Sequence, residues 1–153
     1  MKNPQQIRIL ANERLSEAKI LCENGKYDGA FYLAGYSNEL MLKAKICGQL
    51  DVDDLFDEAC KMPGIGEVRK AIKTHDISVL LIFSGLRKKF EIAKSESWVL
   101  AQTNIRLFNT AGHCVWSEQS RYQSVGSQHV GNVQELIELL THEEGLLQWI
   151  DKN

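Results

Sequence analysis

Apolar residues recur along this chain every three or four positions, the period of an amphipathic helix. Valine-rich alternating segments, the mark of half-buried strands, are absent. The first predicted helix runs from about Gln5 to Glu23. Ile7, Leu10, Ala11, Leu15, Ala18, Leu21 and Cys22 form its stripe, and Asn24-Gly25 stops it. The second runs from about Asp28, read as its N-cap, to Cys47, with Gly48 as the stop. In the acidic piece DVDDLFDEACK, Asp51 is expected to cap a short helix that turns Leu55, Phe56 and Ala59 inward. MPGIGE reads as a loop, because Pro63 and two glycines disfavour a helix.

Thr74 or Asp76 should cap a third long helix that ends near Phe90, with Ile77, Leu80, Leu81 and Ser84 on one face. A fourth, from about Glu96 to Ala111, carries Trp98, Leu100, Ile105, Leu107 and Phe108. Residues 112 to 127 look irregular. The last helix spans about Gln128 to Asp151, with Val130, Val133, Ile137, Leu140 and Leu147 as its stripe and a kink at Gly145. Short connections between such helices predict an all-α antiparallel bundle of four to five long helices plus a short one. A chain of 153 residues fits a single domain over 1–153 with a real core.

The second helix poses a problem of charge. At about 100° per residue, Ala30, Leu33, Ser37, Leu40, Met41 and Ala44 share one face, and Phe31, Gly35, Leu42 and Ile46 another. Between them runs a narrow line of Tyr32, Glu39 and Lys43, with Tyr36 beside it. This is a central helix with neighbours on most sides, and Ala34 and Gly35 would let another helix come close. A carboxylate on it must be exposed, paired or protonated. Lys43 is one partner, at i,i+4. The other is Arg14, stranded in the apolar stripe of the first helix. An Arg14–Glu39 pair across the first two helices is one expectation; the other is that the Arg14 stem lies on the core and its head reaches water.

Composition narrows the picture a little. A formal net charge of −2 argues against a generic nucleic-acid coat but leaves room for a local basic patch. The four cysteines form no C-x-x-C pair and read as buried free thiols in a reducing compartment. The start MKNPQQIRIL lacks the apolar core of a signal peptide, and no apolar run approaches a membrane span. A cytoplasmic protein without membrane contact is expected. His129 and His142 make no i,i+4 ligand pair, so neither metal nor cofactor is predicted.

Three blocks carry a resemblance. RLSEAKILCENGKYDGAFYLAGYSNELMLKAKI, then KTHDISVLL, then WSEQSRYQ, resemble the HEPN family, the helical domain found beside or fused to minimal nucleotidyltransferases. The likeness covers about residues 8 to 150. It implies a bundle of four or five helices that often dimerises, and a nucleotidyltransferase as a partner protein. Some members look like metal-independent ribonucleases, toxins and defence proteins among them, that carry an arginine and a histidine with four to six residues between them. Others lack the motif and bind nucleotide or protein partners.

Arg106 and His113 meet that spacing, with six residues between them. Histidine would take the 2′-hydroxyl proton and arginine would stabilise the phosphorane. The chain departs from the pattern at Leu107, where catalytic members usually place a polar residue, and at Gly112, which should end the helix before His113. The plain alternative is a solvated Arg106 and a loop or C-cap His113. His75 either binds phosphate near Lys73 or packs locally. Arg121 and Tyr122 either hold a phosphate and stack on a base, or Tyr122 pins the loop with Trp116 while Arg121 pairs with a carboxylate.

Three functions follow as expectations. The first is binding of a nucleotide or RNA phosphate through Lys43, His75, Arg121 and Tyr122, as the accessory of a nucleotidyltransferase. The second is a metal-independent endoribonuclease using Arg106 and His113. The third is a non-catalytic interaction module.

Overall fold

The computed structural model describes residues 3–108 and 115–153. All of its regular structure is helical among these residues: eight α-helices and one 3₁₀ helix, with no strand. Helix α1 spans Pro4–Glu23 and α2 spans Tyr27–Leu50. Asn3 caps α1, accepting from the Gln6 N–H at 2.8 Å, and Pro4 needs no partner in the first turn. The predicted stripe of α1 faces inward, with Ile7, Ala11, Leu15, Ala18 and Cys22 buried.

Helix α2 is the centre of the fold. It runs through Gly48 and ends where Asp51 adopts a left-handed conformation, so Asp51 closes α2 rather than starting a new helix. A single glycine costs a helix only about 1 kcal/mol against alanine, which is too little to stop one this well packed. Residues 51–60 form turns instead of the expected short helix; Leu55 is buried and Ala59 exposed.

The loop expected at MPGIGE is shorter than predicted, because α3, Ile65–Ile72, starts after Gly64. The third long helix is two helices. Asp76 caps α4, Ile77–Phe83, by accepting from the Ser78 and Val79 N–H groups. Gly85 then takes φ +74°, a conformation helices do not contain, and α5, Arg87–Glu96, sets off afresh. The inward face Ile77, Leu80, Leu81 and Ser84 is buried as predicted.

Ser97 caps α6, Trp98–Leu107. Leu100 and Leu107 enter the core, but Trp98 is 65% exposed and Ile105 also faces out. After the 3₁₀ helix Glu118–Tyr122, the last predicted helix is also broken: α7 is Val130–Thr141 and α8 is Leu146–Lys152. The chain leaves α7 at His142 and re-enters a helix after Gly145, where there is no room for a side chain. A Cβ there would lie 2.6 Å from the Leu139 carbonyl oxygen.

One hydrophobic cluster joins residues of all eight α-helices. Helix α2 packs on α1, α4, α7, α8 and the 3₁₀ helix. Cys22 and Cys47 are buried free thiols, and burial pushes Cys47 up to about 11. No helix among the described residues is long and apolar enough to cross a membrane.

The small residue Gly35 does not admit a neighbouring helix, as its sequence position suggested. It admits the Trp116 indole, whose atoms stand 2.1 Å from where a Cβ would be. Gly35→Ala should therefore overpack the contact and lower unfolding free energy by about 1–3 kcal/mol. Urea unfolding followed by circular dichroism checks this, as a lower midpoint at unchanged slope.

Candidate functional site

The carboxylate that the pattern of α2 singled out is buried. Glu39 is 1% exposed. Its Oε1 accepts from Lys43 Nζ at 2.7 Å, one turn further along the helix. Lys43 is itself 7% exposed, and its ammonium lies 5.5 Å from the centre of the Phe56 ring. The turns at 51–60 thus form a lid over this ion pair. Arg69 of α3 holds that segment, donating to the carbonyls of Leu55 at 2.7 Å and Cys60 at 3.3 Å.

The expected Arg14–Glu39 pair does not form. Arg14 bonds Glu17 on its own helix, where the two side chains are three residues apart and both partly exposed. The second partner of Glu39 is His75. Its Nδ1 lies 2.9 Å from the same Oε1, and its Nε2 lies 3.0 Å from Oε2 of Glu118. Each ring nitrogen thus meets one carboxylate oxygen, and the imidazole is anchored on its buried side by Glu39. The other side is open, since the His75 side chain is 51% exposed.

That open side faces a cleft of about 470 Å³. Lys73, Thr74, His75 and Asp76 form one wall; Trp116, Ser117 and Glu118 form another, with Leu107 below. The first wall lies where α3 passes into α4. The second lies at the start of the 3₁₀ helix, whose capping box is made by Ser117 and Ser120. Trp116 seats this wall: its indole fills the gap at Gly35, its Nε1 donates to the Tyr32 carbonyl at 3.2 Å, and it stacks on Tyr32. Tyr36 extends the row. Burial, and then the nearby Glu39 carboxylate, push its phenol above the ordinary tyrosine value, against the pull of Arg14.

Asp28 works on the same return segment. It is not the N-cap of α2, a position held by Lys26. Its carboxylate instead accepts from the backbone N–H groups of Gly126 at 2.7 Å and Gln128 at 3.1 Å.

The sequence-predicted residues fall into three groups. Lys43, Glu39 and His75 converge, but Lys43 supports the cleft from behind and does not line it. Arg121 and Tyr122 stand outside the cleft. The guanidinium lies 4.8 Å over the Tyr122 ring, and Tyr122 is largely exposed. Arg106 is committed elsewhere: it donates to Glu135 Oε2 at 2.5 Å and to Gln102 Oε1 at 2.8 Å, beside a cleft of about 290 Å³. His113 lies outside the described residues. Among the described residues, no group of three or more His, Cys, Asp or Glu is arranged to hold a metal ion.

Sequence reasoning missed Glu118. It stands inside the WSEQSRYQ block, yet nothing in its local pattern marks it as a partner for a histidine in the THD block. Among known proteins, no family model, no curated protein and no solved structure matches this chain.

Removing Lys43 would leave the buried Glu39 carboxylate with one cation fewer. Lys43→Met should destabilise the protein by about 3–5 kcal/mol, as for other broken buried pairs. Adding Glu39→Met should recover part of the loss. A double-mutant cycle on urea-unfolding free energies reads the coupling, and additive losses would mean that the pair does not form.

Proposed function

We propose that this chain is a HEPN-like domain that binds the phosphate group of a nucleotide or of RNA at the cleft beside His75. One observation carries the reading. A half-exposed imidazole is anchored through Nδ1 to a buried carboxylate, while its Nε2 faces a cleft and already bonds an anion there. A ligand phosphate is an anion of the same hydrogen-bonding kind, and charge-assisted bonds to it are the strong ones. Lys73, Thr74, Ser78 and Ser117 offer further polar groups, and Trp116 and Leu107 an apolar floor. The volume is in the range of small-molecule sites. Lys43 acts in this reading by holding Glu39, and Arg121 and Tyr122 take no part in the cleft. On the family resemblance, the domain pairs as a homodimer and serves as the accessory of a nucleotidyltransferase.

The test is calorimetric titration with ATP and with a 5′-phosphorylated oligoadenylate. His75→Ala should weaken binding by about tenfold or more, as expected for a lost charge-assisted bond. Arg121→Ala should change it by less than about twofold, within the range of a peripheral exposed charge. Equal loss in both variants, or no binding by either the wild type or Glu118→Gln, would refute the assignment.

Ribonuclease activity through Arg106 and His113 stands second. In its favour, Arg106 borders a cleft of its own. Against it, Glu135 already neutralises the guanidinium that would have to meet a phosphorane. End-labelled single-stranded RNA incubated in EDTA should remain intact. Cleavage that is lost in both Arg106→Ala and His113→Ala would reverse the order of the two readings.

A further inference from the structure

We propose that Glu118 is a resident occupant of the phosphate position at His75, a carboxylate of the protein itself that competes with the incoming ligand. The inference rests on the phosphate-binding reading above and adds its regulation.

The two carboxylates on His75 are not equivalent. Glu39 is buried and rooted in the central helix, so it orients the ring. Glu118 reaches the ring from the cleft side, and its side chain is 29% exposed. Nε2 carries a single hydrogen and serves one strong acceptor at a time. A phosphate oxygen and Glu118 Oε2 therefore exclude one another at that atom.

Displacing Glu118 leaves no buried charge behind. Its carboxylate can turn to water, and its other hydrogen bond is to the exposed Gln119 amide at 3.3 Å. The backbone beneath it is held independently. Ser117 caps the 3₁₀ helix, and Trp116 stays locked on Gly35 and Tyr32. The wall of the cleft thus remains in place when Glu118 swings away.

The cleft also loses one negative charge on that swing. Lys73 pairs with Glu58 at 2.8 Å, but both side chains are well exposed, and such pairs hold weakly. Asp76 faces the cleft too, with Oδ1 already accepting from the first turn of α4. With Glu118 in place, two carboxylates, Glu118 and Asp76, share the cleft with Lys73 and the His75 ring. With Glu118 withdrawn, Lys73 and the ring face one engaged carboxylate. A dianionic phosphate is favoured there over a monoanionic side chain once its concentration outweighs the intramolecular advantage of Glu118.

The experiment titrates the full chain with ATP and, separately, with inorganic phosphate. It compares wild type, Glu118→Gln, Glu118→Ala and Glu118→Ala with His75→Gln, each checked for folding by thermal melting. Both single variants should bind ATP at least about fivefold more tightly than wild type, and the double variant should lose that gain. Inorganic phosphate should gain by a similar factor, because the competition is for the phosphate position alone. Binding seen only after Glu118 is replaced would also support the proposal, as a site closed by its own carboxylate. A wild type that binds ATP while the Glu118 variants bind equally or more weakly would overturn the competitor role and leave the binding reading standing. A gain confined to ATP would overturn it as well, since Glu118 would then oppose the base. No binding by any variant would overturn both.

Discussion

The buried Glu39 carboxylate is the constraint around which this structure is arranged. An unpaired charge in the interior costs several kcal/mol even after relaxation. Glu39 sits on the one helix that most other elements touch, so it cannot escape to water. Lys43 supplies the nearest cation, but Lys43 is buried too and needs cover of its own. The turns after α2 supply that cover through Phe56, and Arg69 of α3 holds those turns. His75 adds a second partner on the same oxygen, from the connection between α3 and α4. A single carboxylate thereby recruits three consecutive segments of chain.

A second set of contacts brings the far end of the sequence to the same place. Trp116 enters the gap at Gly35, and Asp28 holds the backbone at Gly126 and Gln128. The return segment between α6 and α7 is thus pinned to α2 on both sides of the 3₁₀ helix. That pinning positions Glu118 against His75 and closes the second wall of the cleft. A site whose walls rest on packed aromatic and buried ionic contacts is held more tightly than one built from loop tips.

Much of the fold was legible because helical period is a local property. The stripe of α1 and the inward face of α4 are buried where the pattern put them. The errors have local causes as well. Gly85 interrupts a stretch whose apolar spacing otherwise continues, and its positive φ is a backbone fact that spacing does not record. Gly48 reads as a stop, yet α2 passes through it to Leu50, because one glycine carries only a small propensity cost. Arg14 looked like the partner of Glu39 because both interrupt apolar surfaces, but Glu17 was nearer and wetter.

What the sequence determined by itself was the all-helical class, most of the core stripe, and the existence of a carboxylate on α2 that required a cation. Lys43 is in view there as its i,i+4 partner; the tertiary structure alone decided the second partner, His75, and the carboxylate on the far side of that ring. His75 lies thirty-six residues from Glu39, and Trp116 eighty-four from Tyr32. The physical reason is range. Helical spacing and caps are settled within a turn or two of chain, where the sequence states the neighbours outright. Contacts across such separations depend on how whole helices pack, and only their final arrangement brings the THD and WSEQSRY blocks to one cleft and sets the YD block on the chain that follows.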